Sequence, residues 1–386
     1  MDDRAQLNTL DSKILTPVVR RACGNESLEL DQWTIQQIHG GGGEGVGIYR
    51  LTGQATNHGV LNDQWSLILK VLGRSEAALD LSSWGYWRRE AEAYQCGFMN
   101  DLPAGLKTPR CFGVSEPADG IAWLWLEDVE QAKSSALQLT DYQRVAHQLG
   151  QFNGHYLTGQ SAPVYPWLSR GWLRGWVELN ASAVDHFSQS LDQRWIKRVW
   201  PRSSAEAFLQ TWAERELYFR TLERLPQTLC HLDVFRRNLL PRSRPAGDHE
   251  MVIVDWSFVG QGALGEELVP LVVASIAFME VDILMGGELE EKAFAGYLEG
   301  LHESGWRGDP QLVRLGYASA AALRYGVGVL RLMLPFLLDE TLHPMAEQFW
   351  GRSFHELCEA WSIVNSRFTL RLAEEARELM DKLGYG

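Results

Sequence analysis

An α+β fold in two lobes, a small antiparallel sheet ahead of a larger and mostly helical part, is what the sequence predicts. Three observations carry it. Between Trp33 and Leu126, short runs rich in β-branched and aromatic residues alternate with Gly, Asn and Asp turns. From about Thr140 onward, amphipathic helical periodicity dominates, broken by a short strand pair near 228–255. The chain has 386 residues, 45% hydrophobic, 11% aromatic and 22% charged, enough for two or three real cores, which excludes disorder, collagen repeats and coiled coil. Sheet first and helices after argue for segregated α+β. The boundary is drawn between a lobe of residues 1–126, with a leader helix inside 1–30, and a helical lobe of residues 127–386.

Taken in order, residues 33–71 read as strands: WTIQQI, a glycine cluster, GIYRLTG, a polar loop, then WSLILKVL. Residues 84–97 read as a helix with Glu90 and Tyr94 on one face at i, i+4. Strands are expected again around Arg110–Val114 and Ile121–Leu126. Residues 140–225 read as tryptophan-rich amphipathic helices, then TLCHLDVF, NLLPR and MVIVDWSFVG as strands, and then helices to the end, 311–338 and 346–383 the clearest. No 20–50-residue repeat is present.

The formal charge of −13 argues against a nucleic-acid partner, because phosphate contacts need a basic face. An acidic surface favours a cationic small substrate over an anionic one. Five widely spaced cysteines without a Cys-x-x-Cys pair fit a reducing cytoplasm better than a disulfide scaffold or a thiolate zinc site. The polar, acidic start MDDRAQLNTLDSKIL has no apolar core of a signal peptide, and the apolar run Leu268 to Met279 is too short for a membrane span. A cytoplasmic protein without a membrane partner is expected. The oligomeric state is not legible.

The residues best suited to chemistry are His231-Leu232-Asp233-Val234-Phe235-Arg236-Arg237-Asn238, followed 17 residues later by Asp255-Trp256-Ser257. Phosphoryl transfer needs a carboxylate near the acceptor hydroxyl and oxygen ligands for Mg2+ on the phosphates. Asp233 can supply the first, Asn238 with Asp255 the second. Asp and Asn are also common turn residues, but a second Asp on an apolar strand argues for chemistry.

This pattern, His231-x-Asp233 to Asn238 with Val254-Asp255-Trp256, resembles the aminoglycoside phosphotransferase and choline kinase superfamily of small-molecule kinases, over roughly residues 33–285. The resemblance implies a bilobal protein-kinase-like fold, ATP and Mg2+ as cofactors, Asp233 as the catalytic Asp, and Asn238 and Asp255 as magnesium ligands. His231 is implied as a support of the catalytic loop. Phe235 departs from the Lys of protein kinases and from the small or polar residue of many small-molecule kinases. If a cation assists the transferring phosphate, Arg236 or Arg237 is the candidate.

The first lobe holds matching parts. Gly40-x-Gly42-x-x-Gly45, with Gly43 inside it, fits a phosphate-covering loop, since glycine lets backbone N–H groups approach phosphate oxygens. Lys70 ends an apolar strand, and the resemblance implies that it contacts the nucleotide phosphates and pairs with an acid on the next helix, for which Glu90 is chosen over Glu92. Trp123 to Val129, with Leu126 and Asp128, resembles the hinge where adenine bonds to the backbone. Gly262 to Leu268 resembles the loop after the metal ligand, with Glu267 where an Asp is usual and read as structural. Trp176, with Glu178 and Asp185, lies where the family builds its acceptor pocket, although aromatics at helical spacing are mostly core.

The function expected is ATP-dependent phosphorylation of a hydroxyl on a small molecule such as an aminoglycoside or amino sugar. The alternatives are a catalytically inactive nucleotide-binding relative and, less favoured, a protein kinase, since too few residues follow Asp255 for an activation segment.

Overall fold

The computed structural model describes residues 10–38, 46–57, 60–74, 80–100, 102–103, 105–129, 137–159, 161–243 and 249–386. The chain divides into two compact units. The first comprises residues 1–102, 106–134 and 239–257, and the second residues 103–105, 135–238 and 258–386.

The first unit is a five-stranded antiparallel sheet with strand order β1-β2-β3-β5-β4. The strands are β1 (Leu28–Gln37), β2 (Val46–Asn57), β3 (Val60–Gly73), β4 (Cys111–Ala118) and β5 (Ile121–Glu127). The period of two along β3 sends Leu67, Leu69 and Val71 to one face and Ile68, Lys70 and Leu72 to the other. The first face is closed by the leader helix α1 (Ser12–Cys23), whose Leu15, Val18 and Val19 pack with Leu51, Leu67, Trp123 and Trp125. Asp11 caps α1 by accepting from Ile14 N–H at 3.0 Å, and Gly24 ends it in the left-handed region at φ 66°. On the second face Leu72, Leu124 and Leu126 meet Ala91 of helix α2 (Arg89–Gln95). Helix α2 is shorter than the 84–97 expected. Residues 84–88 form turns instead, because Arg89 turns its guanidinium back onto the carbonyls of Ser83 and Trp84.

NLLPR and MVIVDW form the expected hairpin, β7 (Leu239–Ser243) with β8 (His249–Ile253), with Leu239 opposite Ile253. It packs with the first unit: Ile253 N–H donates to the Lys107 carbonyl at 2.8 Å, and Arg242 Nη2 binds Glu127 at 2.8 Å.

The second unit is mostly helical. Its centre is the pair α3 (Leu139–Thr158) and α9 (Gly286–Glu303), which approach so closely that a β-carbon at Gly150 would sit 2.1 Å from the Tyr297 carbonyl oxygen. Between them run α4 (Trp172–Glu178), α5 (Ala181–Gln189), α6 (Arg194–Val199), α7 (Arg202–Ala213), α8 (Arg215–Arg224) and the strand β6 (Gln227–Cys230). TLCH does not pair with MVIVDW. Its partner is β9 (Gly260–Ala263), which the glycine-rich GQGA gave no reason to read as a strand. Gly260 is required there because the Ser169 backbone runs alongside, 2.2 Å from where a β-carbon would stand.

The expected helix 346–383 is three pieces, α12 (His343–Trp350), α13 (Phe354–Val364) and α14 (Leu370–Leu383). Gly351 at φ 64° ends the first, and the Ser353/Glu356 capping box restarts the chain. The stretch Pro310–Leu338, comprising α10 (Pro310–Ala321), a π-helical turn (Ala322–Val327) and α11 (Leu330–Leu338), is long and apolar enough by length and composition to cross a membrane. Of its most apolar window, 61% is buried within the protein, as in a core helix. The α+β class expected from the sequence, with a sheet first and helices after it, is the class observed.

Candidate active site

The predicted charged residues that are buried fall into two clusters, one in each unit. In the first, Lys70 sits mid-sheet opposite Ile48 and Leu124, only 5% exposed. Its Nζ donates to Glu90 Oε2 at 2.5 Å and to Asp255 Oδ1 at 2.8 Å. Burial alone would lower the Lys70 pKa, but the two carboxylates outweigh it and raise it, so the ammonium stays charged. Glu92, on the other side of the helix, is engaged by Arg88 and Tyr86.

Asp255 has φ 63°, a left-handed conformation that costs a residue with a β-carbon. The neighbours hold it there. Trp256 N–H donates to Glu90 Oε1 at 3.3 Å, its indole N–H to the Ile253 carbonyl at 3.1 Å, and Arg89 Nη1 to the Ser257 carbonyl at 2.8 Å. Arg89 is fully buried, and its pKa is lowered by burial to about 10. The sequence reading missed it: beside Glu90 it looks like an ordinary helix-surface charge.

At the hinge-like segment, Leu126 is buried in β5. Asp128 accepts from Arg50 Nε at 2.8 Å and from Ser66 Oγ, which ties the segment to β2 and β3. Gly42, Gly43 and Gly45, expected to cover phosphate, lie outside the described residues.

In the second unit the chain leaves β6 at Cys230 and turns sharply, Leu232 adopting φ 69°. Glu267 anchors this turn from below: its Oε2 accepts from His231 N–H at 2.7 Å and its Oε1 from Leu232 N–H at 3.0 Å. Burial pushes the Glu267 carboxyl up to about 7, against those two N–H groups, which pull it down. His231 is buried, and its Nδ1 accepts from Asp233 N–H at 3.1 Å, a structural use of the ring. Asn238 Nδ2 donates to the Asp233 carbonyl at 2.9 Å and to its Oδ2 at 3.1 Å. The amide nitrogen is spent on Asp233, so the amide oxygen is the atom left to meet a cation. Taken one by one, the Asp255 carboxylate and the Asn238 amide are hard oxygen donors, of the kind that suits Mg2+ or Ca2+ and not a thiophilic metal.

Asp233 has a second partner with no signal in the motif. Arg324, 7% exposed on the π-helical turn, donates from Nη2 to Asp233 Oδ1 at 2.5 Å and from Nη1 to the Leu232 carbonyl. Of the two arginines proposed to meet the phosphate, Arg237 is bound to Glu280 at 2.7 Å. Arg236 is half-buried, and its charge acts on Glu280 and Tyr142. The Phe235 ring packs against Phe278, centroids 5.8 Å apart.

The expected acceptor residues occupy α4 and α5. Arg331 lies over the Trp176 ring at 4.7 Å, Glu178 accepts from Arg215 Nε at 3.0 Å, and Asp185 is exposed.

The model of the phosphotransferase enzyme family matches residues 53–309. Among curated proteins none matches the chain. Similar solved structures include the amicoumacin kinase hAmiN in complex with AMP-PNP, Ca2+ and Ami, which is 11% identical, with 96% of this chain and 97% of that one covered and a TM-score of 0.52. Another is an aminoglycoside phosphotransferase from Alicyclobacillus acidocaldarius, 13% identical, with 89% and 93% covered and a TM-score of 0.53. At these identities the likeness is one of fold.

Proposed function

The chain belongs to the phosphotransferase enzyme family, and from that premise we propose that it transfers the γ-phosphate of ATP to a hydroxyl of a small cationic molecule, an aminoglycoside, amino sugar or similar metabolite. The observation that carries the reading is Lys70, a buried ammonium set between Glu90 and Asp255. A lysine so placed has a fixed head and a permanent charge, which a nucleotide phosphate can recruit without waiting for it to be ordered.

The roles follow from the chemistry each side chain can do. Lys70 binds phosphate oxygens while Glu90 holds it in place. Asp233 accepts a hydrogen bond from the acceptor hydroxyl and takes its proton as the O–P bond forms, and Arg236 faces the transferring phosphate. Asp255 and Asn238 supply the oxygen ligands of Mg2+, which when bound neutralises charge on the phosphates. Leu126 and Asp128 belong to the segment that meets the base through its backbone. Trp176, Glu178 and Asp185 are the proposed acceptor contacts, a ring face with carboxylates for an amine.

The test is ADP release from Mg·ATP, screened against hydroxylated metabolites and antibiotics with and without amino groups. An amine-bearing acceptor should stimulate release, and its KM should rise several-fold with added salt, because attraction between exposed charges is screened beyond about 8 Å at physiological ionic strength. Mg·ATP binding without turnover on any acceptor would mark an inactive relative. An apolar acceptor with no salt effect would remove the cationic assignment.

A further inference from the structure

Arg324 lies in the middle of an apolar stretch, ASAAALRYGVGVL, where a charge is expensive unless it is paired. Everything around it pairs or shields it. One guanidinium nitrogen meets Asp233 Oδ1 at 2.5 Å, the other the Leu232 carbonyl, and the plane lies over the Trp172 ring at 4.4 Å and near Tyr325 at 5.2 Å. Trp172 is itself fixed, its indole N–H donating to Glu266 Oε1 at 2.9 Å. The residue sits on a π-helical turn, Ala322–Val327, a local widening that is costly and recurs at functional sites.

The two atoms that Arg324 grips are the ones whose placement decides whether Asp233 can work. A carboxylate rotates about its terminal torsion, and only one orientation presents a lone pair to an incoming hydroxyl. Arg324 fixes Oδ1 while Asn238 fixes Oδ2, so the plane is set from both sides. The Leu232 carbonyl belongs to the left-handed residue that turns the chain toward Asp233, so the same guanidinium secures the backbone as well as the side chain. A lysine cannot reproduce this, since an ammonium lacks the planar fork that reaches two acceptors at fixed angles.

We propose that Arg324 is a positioning residue for phosphoryl transfer, holding the Asp233 carboxylate and its strained turn in the orientation that receives the hydroxyl proton. This rests on Asp233 being the proton acceptor of the reaction.

The experiment uses the full chain and Mg·ATP, with water as the acceptor and ADP release as the readout, on Arg324→Ala, Arg324→Lys and Asp233→Asn. For Arg324→Ala, kcat should fall by about 10- to 100-fold, the range for partners that orient a functional group, with the Mg·ATP KM within about two-fold of the parent. Methylguanidinium should restore at least about a tenth of the lost rate and methylammonium should not, a contrast that a purely structural role does not produce. Arg324→Lys should stay well below the parent in kcat. Parental kcat in either Arg324 variant overturns the proposal. So does a loss that methylguanidinium leaves untouched, or a rise in KM at constant kcat. If Arg324→Ala does not fold, the kcat and KM of Arg324→Lys decide, a fall in kcat at constant KM supporting the proposal and a parental kcat, or a rise in KM at constant kcat, overturning it. Parental turnover by Asp233→Asn is a different failure: it removes the reading of Asp233 itself, whatever Arg324→Ala does.

Discussion

The buried charge around Lys70 and that around Asp233 are balanced in opposite ways. In the first unit one ammonium faces two carboxylates, Glu90 and Asp255, so carboxylates outnumber cations in the ion-paired set. In the second unit the Asp233 carboxylate faces one guanidinium, with Asn238 on its other oxygen, and most other hydrogen bonds run to backbone: Asn238 to the Asp233 carbonyl, Arg324 to Leu232, Glu267 to the N–H groups of His231 and Leu232. The difference teaches what each is for. An unbalanced cluster can take up a further cation, which suits the proposed role of Asp255 as a metal ligand. A balanced and over-bonded one is built to keep an atom still.

The comparison breaks most visibly at the two aspartates. Asp233→Asn should leave Mg·ATP affinity within a few-fold while phosphorylation of an identified acceptor drops by ~10²–10⁴, the usual loss on removing a general base. Asp255→Asn should damage magnesium-dependent nucleotide binding itself, since a hard cation loses an anionic ligand. Calorimetric titration with Mg·ATP beside single-turnover transfer measures both, and the reverse pattern would exchange the roles of the clusters.

A smaller effect is expected at Lys70. Lys70→Ala should weaken productive ATP binding by ~1.5–3 kcal/mol, the loss of a charge-assisted contact, and Glu90→Ala should weaken it in the same direction by freeing the ammonium from its seat. Unchanged turnover in both variants would mean that the first cluster is only structural.

The smallest effect is on stability and concerns Glu267. Its folded pKa of about 7 lies above the ordinary 4.5, so the fold binds this proton more tightly than the unfolded chain does. Its contribution is therefore full below pH 4.5 and is lost as the pH rises through 7. Across that window the parent should lose about 1–3 kcal/mol of unfolding free energy that Glu267→Gln does not lose. Denaturant titrations of both proteins at several pH values measure the difference, and parallel pH profiles would show that the two backbone N–H groups keep Glu267 ionised throughout.

What could be read from the sequence was whatever lies close in the chain or repeats with a regular period. The apolar run Trp65 to Leu69 pointed to Lys70, although the strand continues past it to Gly73, and helical spacing chose Glu90 over Glu92. Hydrophobic runs around a turn produced the 239–253 hairpin. What failed was set by distant backbone. The strand at Gly260–Ala263 exists because the Ser169 chain passes beside it, and glycine announces neither. Arg324 is 91 residues from its carboxylate, and a single charge in an apolar helix was the only trace it left. Helix α2 begins five residues later than its amphipathic pattern because Arg89 spends its donors on the preceding carbonyls.

The hairpin 239–257 carries a consequence for how the protein is made. The first unit's sheet is complete in sequence at Glu127, yet Asp255 arrives 128 residues later and Ser257, the end of the segment that belongs to the unit, 130 residues later. At about 5–20 residues per second on the ribosome, the nascent sheet waits ~7–26 s with Lys70 and Glu90 formed as a pair and Arg89 without the Ser257 carbonyl. Vectorial synthesis therefore cannot finish one unit before starting the other. A ribosome stalled anywhere between these points holds a half-built Lys70 cluster, and a fragment cut at residue 134 inherits the same gap permanently.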